Sequence, residues 1–76
     1  LMTKSKFLQR VEQISIQQES AKGAGIGFLK DARGQEVPVE VPFTLPGDEA
    51  KARLFKKKKG VFLSFLQEIT HPSPLR

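Results

Sequence analysis

The sequence predicts a small all-β domain, a five-stranded antiparallel barrel, on three observations. Apolar residues recur at every second position in several short runs, turns rich in Gly and Pro separate these runs, and no helical period persists for two turns. Closure of the sheet is expected because a barrel leaves no strand edge to invite aggregation.

Residues 1–10 carry no period and read as a flexible leader, with the folded domain over 11–70 and a linker over 71–76. In the first strand, within 12–18, Ile14 and Ile16 alternate with Ser15 and Gln17. The run Gly23, Gly25 and Gly27 then permits the backbone to bend before Ile26 and Phe28 resume the strand period. Asp31-Ala32-Arg33-Gly34 is a hairpin turn. The third strand is the clearest, since Val37, Val39, Val41 and Phe43 share one parity. Pro38 and Pro42 on the other parity cannot donate to a ladder and predict an edge strand or a bulge.

Leu45-Pro46-Gly47-Asp48 suits a type II turn, with Pro and Gly at its two central positions. A fourth strand sets Ala50, Ala52 and Leu54 against Lys51, Arg53 and Phe55, then runs into Lys56-Lys57-Lys58-Lys59-Gly60 at the tip of a ribbon. In the fifth, Phe62, Ser64 and Leu66 share the inner parity and Val61, Leu63, Phe65 and Ile69 the outer, before Pro72 and Pro74 stop the strand. Strands of this number and length make the barrel OB-like. The expected core is Ile14, Ile16, Ile26, Val37, Val39, Val41, Leu54, Phe62 and Leu66.

At 76 residues a chain forms one domain and buries about 60% of its unfolded surface. With no cysteine it has no disulfide, thiolate ligand or thiol nucleophile. No apolar run approaches the roughly 18 residues of a membrane span and no signal-peptide core is present, so a cytoplasmic monomer without membrane contact is expected. His71 is the one histidine and has no cysteine or ordered acid pair beside it, so neither catalysis nor metal binding is expected. The glycine run is not a nucleotide loop, because Phe28 stands where the dinucleotide fingerprint needs glycine.

A net charge of +5 favours an anionic partner. The candidate RNA-binding residues are Lys51, Arg53, Phe55, Lys56, Lys57, Lys58 and Lys59 on the ribbon, with Lys30 and Arg33 beside the preceding turn. Lysines draw phosphates without regard to sequence, and an aromatic face stacks a base, so the combination suits single-stranded nucleic acid. Phe28, Phe55 and Phe65 are the stacking candidates, Phe55 first.

Gly25-Ile26-Gly27, the turn at Gly34, the valine strand, Val41-Pro42-Phe43-Thr44-Leu45-Pro46-Gly47-Asp48 and the closing Pro72-Ser73-Pro74-Leu75-Arg76 together resemble the TRAM domain. The resemblance is to the N-terminal TRAM domain of the RNA uracil-5-methyltransferases and covers residues 11–76. It implies a parent enzyme that transfers a methyl group from S-adenosylmethionine to a uridine of rRNA or tRNA. The nucleophilic cysteine, the general base and the cofactor pocket would belong to a catalytic domain of the same chain, so this segment itself is expected to hold no cofactor and to catalyse nothing. Leu63 and Phe65 are apolar where the family often carries smaller or polar residues. Two readings follow: an accessory module that holds RNA for the catalytic domain, or a structural domain that packs Val61, Leu63 and Phe65 against the rest of the parent while the lysines only solubilise.

Overall fold

The computed structural model describes residues 10–76. The described chain is all-β, with six strands in one sheet and no helix. The strands are β1 (Val11–Ser15), β2 (Gln18–Glu19), β3 (Gly25–Lys30), β4 (Glu36–Val41), β5 (Glu49–Lys58) and β6 (Val61–His71). Of the leader expected over 1–10, residues 1–9 lie outside the described residues.

The sheet order is β1-β5-β6-β4-β3-β2, an open sheet rather than the closed five-stranded barrel expected. The sixth strand arises because the segment read as the first strand divides in two. Residues 11–15 pair with β5 at one edge, and residues 18–19 pair with β3 at the other. Ile16 and Gln17 connect the edges: Ile16 N–H donates to Asp48 O at 2.9 Å and Gln17 N–H to Ile26 O at 2.8 Å. The sheet is also not purely antiparallel, because β4 runs parallel to β6 at Val39 opposite Phe62 and Glu40 opposite Leu63.

β4 is interior, not the edge strand its prolines predicted. The ladder to β6 covers only Val39 and Glu40, so neither proline occupies a paired position on that side, and Pro42 lies beyond the end of the strand.

The core consists of Ile14, Ile16, Val37, Val39, Val41, Ala50, Ala52, Leu54 and Phe62, with Leu29 and Leu66 packed against it. Ile26, expected among them, is only half-buried and faces outward with Phe28. The inward positions of β3 belong to Gly25 and Gly27 instead. A Cβ on Gly27 would collide with Ile14 Cγ2 and lie 2.5 Å from the carbonyl oxygen of Ser15, and one on Gly25 would collide with Thr44 Oγ1. These two glycines therefore serve close approach of the crossing 14–16 segment, not the bending read from the sequence.

Phe43, expected to extend the valine face, is 82% exposed and has a φ of 65°. The strand ends at Val41, and the chain turns where the Thr44 hydroxyl donates to Val41 O at 2.8 Å. The Leu45–Asp48 turn forms as expected, Asp48 N–H donating to Leu45 O at 2.9 Å with φ of 98° at Gly47. In the β3–β4 turn, Gly34 N–H donates to Asp31 O, and Asp31 Oδ1 accepts from the amides of Arg33 and Gln35.

Candidate nucleic-acid interface

The long β5–β6 ribbon carries most of the candidate residues. Its tip is a two-residue loop, with positive φ at both Lys59 (51°) and Gly60 (80°) between the paired Lys58 and Val61. That is the type I′ geometry, whose twist matches the flanking strands.

Register along the ribbon decides which side each lysine takes. Arg53 faces Phe65 and Leu54 faces Ser64, but the next pair is Lys56 with Leu63, so Phe55 is an extra residue on β5. This bulge inverts the alternation beyond it. Lys56 and Lys58 thus share the outer face with their partners Leu63 and Val61, whereas Lys57 lies opposite buried Phe62 on the inner face. The Lys57 ammonium sits 5.3 Å from the Phe62 ring centroid, a cation–π contact that covers the end of the core. The four lysines therefore do not act alike.

Phe55 and Phe65 stack on the outer face, ring centroids 4.4 Å apart and planes at 21°. Phe65 remains 56% exposed and Phe55 is half-buried. Lys51 is on the same face, opposite Glu68. Lys30 and Arg33 belong to the β3–β4 hairpin, Lys30 opposite Glu36 and Arg33 in the exposed turn.

Beside the ribbon tip, a shallow cleft of about 380 Å³ is lined by Lys22, Glu40, Lys58, Lys59, Val61 and Leu63. A second, of about 200 Å³, is lined by Lys22, Gly23, Ala24, Pro42 and Phe43. Lys22 borders both. Sequence reasoning missed Lys22 and read Phe43 as continuing the apolar face of the valine strand. Nothing in the local pattern marks Lys22, since the loop that carries it reaches the ribbon only through the fold. For Phe43, the signal was its position one residue after Pro42 and before a turn.

The segment over 72–76 folds back on the start of β5. Ser73 is buried, and its amide donates to Asp48 Oδ1 at 2.6 Å. Arg76 donates to the same carboxylate through Nε at 3.0 and 3.1 Å and Nη2 at 2.8 Å, and through Nη2 to Phe43 O at 3.0 Å. The Arg76 guanidinium holds the Asp48 carboxyl well below the usual range; burial opposes this, and the amides of Leu45 and Ser73 reinforce it. Asp48 is wholly buried and its carboxylate is fully engaged by these donors, so it is a structural anchor rather than a reactive acid.

Part of the chain also has a counterpart of known class. Over 35 residues, 46% of this chain, it is 54% identical to an uncharacterized RNA methyltransferase of Protochlamydia amoebophila. The match spans 8% of that protein's length. No protein-family model and no solved structure matches. The chain is thus related in part to an RNA methyltransferase. Among the described residues no group of three or more His, Cys, Asp or Glu could hold a metal ion, and His71 is exposed at the end of β6. Among the same residues no helix is long and apolar enough to cross a membrane.

Proposed function

We propose that this chain is an RNA-binding TRAM module of an S-adenosylmethionine-dependent RNA uracil-5-methyltransferase, holding an rRNA or tRNA substrate for a catalytic domain of the same polypeptide. The observation that carries the reading is the outer face of the β5–β6 ribbon. There Lys51, Lys56 and Lys58 share one face of the ribbon with the stacked Phe55–Phe65 pair. Ammonium groups draw phosphates and an open ring receives a base, which is the combination single-strand binders use. The partial identity to an RNA methyltransferase supports RNA as the anion in question. The methyl donor and the reacting uridine would be held by the catalytic domain, and the site of action is the cytoplasm.

The test is a salt titration of RNA binding followed by fluorescence anisotropy, comparing the original chain with a Lys58→Glu, Lys59→Glu double variant. Lys57 is left in place because of its contact with Phe62. Every phosphate of a single strand that is no longer neutralised removes about 0.7 from the slope of log affinity against log salt, so the double variant should flatten it by about 1.4. Affinity should fall about equally for all RNA sequences, because phosphate contacts carry little sequence preference. If affinity and slope both stay unchanged, the ribbon is a solvated turn. The domain then serves to pack on the parent through Val61, Leu63 and Phe65, a reading favoured by the exposure of Phe65.

A further inference from the structure

We propose that the outer face of β6 and the loop beside it form a track for unpaired RNA, with bases stacking on Phe65 at one end and on Phe43 at the other and the phosphates between them held by Lys22, Lys58 and Lys59. The proposal rests on the RNA-binding reading above and specifies the form of RNA and the residues that receive it.

Four features of the fold lead there. Phe65 has one face fixed against Phe55 at 4.4 Å and is otherwise 56% exposed, so its ring is rigid and open to a base on one side. From Phe65 the outer parity of β6 continues through Leu63 and Val61, an apolar stripe of about 13 Å at 3.3 Å per residue. Leu63 and Val61 then form the floor of the larger cleft, whose rim bears Lys22, Lys58 and Lys59. Lys22 also lines the smaller cleft, where Phe43 lies, so one cation borders both depressions.

Phe43 is the decisive member. A phenylalanine at φ of 65° is sterically unfavourable, and this one is 82% exposed, so burial of its ring does not offset the cost. Its backbone is nevertheless fixed, since Arg76 Nη2 donates to its carbonyl and the Thr44 hydroxyl closes the turn beside it. An immobile backbone that presents a bare ring next to a lysine is the arrangement a stacking platform requires.

The form of RNA follows from the surface. Bases in an A-form duplex have their faces occupied by their neighbours, and stacking on a side chain therefore needs splayed, unpaired nucleotides. Three ammonium groups on the rim against one carboxylate, Glu40, favour a polyanion over a protein face. Glu40 can accept a hydrogen bond from the N–H of a base lying in the cleft.

The experiment uses the full 76-residue chain with two probes of equal length. One is an unpaired RNA oligomer of about ten nucleotides, within the ~4–16 nucleotides that small single-strand-binding β domains cover. The other is an RNA duplex. Anisotropy is measured across salt for Phe65→Ala, Phe43→Gly and Lys22→Glu. The unpaired probe should bind more tightly than the duplex. Phe65→Ala and Phe43→Gly should each weaken it by about 5- to 140-fold, which is 1–3 kcal/mol per stacked base at 1.4 kcal/mol per decade. Neither should change the salt slope or the affinity for duplex. Lys22→Glu should flatten the slope by about 0.7.

Circular dichroism and a thermal melt accompany each variant, and Phe65→Leu, which removes the ring but keeps an apolar side chain, replaces Phe65→Ala if that protein unfolds. Equal affinity for duplex and single strand, or aromatic variants that bind like the original, overturns the track while leaving electrostatic RNA binding in place. Absence of RNA binding by the original chain at low salt overturns both.

Discussion

Asp48 and Arg76, 28 residues apart in sequence, join the Leu45–Asp48 turn to the segment after β6 through a two-point contact between carboxylate and guanidinium. Because the same carboxylate accepts from the amides of Leu45 and Ser73, one buried side chain both closes its own turn and fixes the backbone of the segment after β6.

A depressed carboxyl pKa sets the sign of an acid response. The stabilisation from Asp48 is fully present above its ordinary value of 3.8 and is lost as pH falls from there toward the lower folded value. Thermal melts should be flat from pH 7 to about pH 5 and drop below about pH 4. Asp48→Asn should melt lower at pH 7 and lack that acid-dependent step. An unchanged pH profile in this variant would show that other carboxylates control acid unfolding.

Removing the carboxylate altogether has a larger effect. Asp48→Ala leaves the Leu45 and Ser73 amides without their acceptor, at about 1–3 kcal/mol for each buried amide left unpaired, while water takes over the partly exposed Arg76 guanidinium. Against the total of roughly 5–15 kcal/mol that holds a small domain, this is a large fraction and should lower the urea midpoint markedly. Urea titration followed by circular dichroism measures it.

Phe43→Gly should stabilise the domain. The φ of 65° costs a phenylalanine about 1–3 kcal/mol and glycine almost nothing, while the ring it removes is largely in water. Glycine's freedom in the unfolded chain offsets about 0.4–1 kcal/mol of the gain. At about 4–8 °C per kcal/mol, differential scanning calorimetry should register a rise of several degrees.

Gly27→Ala should have the opposite sign. Its new methyl would meet Ile14 Cγ2 and the Ser15 carbonyl, and backbone cannot move aside as a side chain can. A destabilisation of about 1–3 kcal/mol is expected by urea titration. Gly34→Ala meets no atom within 4 Å and should bear only the cost of its positive φ, about 1 kcal/mol.

The two middle lysines should separate in a melt. Lys57→Ala removes the cation–π contact with Phe62, worth about 0.5–1 kcal/mol at an exposed site. Lys58→Ala, on the outer face opposite Val61, should leave the stability unchanged within about 0.5 kcal/mol. Equal melting of the two would mean that the register beyond Phe55 does not hold in solution.

Much of this architecture was legible in alternation. Val37, Val39 and Val41, and likewise Ala50, Ala52 and Leu54, kept their predicted inward parity because each run is regular and bounded by turn residues. Legibility failed where a distant contact decides the local geometry. Gly25 and Gly27 read as a bend because nothing nearby in sequence says that Ile14 and Ile16 cross them. Phe43 read as part of the valine face because its strained turn is held by Thr44 and by Arg76, 33 residues on. In the candidate site, four identical lysines conceal the bulge at Phe55, so their division between two faces has no sequence signal. The outward parity of Phe55 and Phe65 was readable, and their stacking follows from it.

The division of one segment between two sheet edges has a kinetic consequence. β3–β4 and β5–β6 are hairpins closed by short turns and Gln18 pairs with the nearby Ile26, whereas Val11 must find the distant Arg53 before the β1 edge is complete. Loop closure is the entropic obstacle for such a distant pair, so the hairpins form first and residues 11–15 dock after the barrier. In a chevron experiment, Val39→Ala should slow refolding, while Ile14→Val should leave refolding nearly untouched and accelerate unfolding. The residues that tie the sheet together would then govern how long the native state lasts rather than how quickly it is reached.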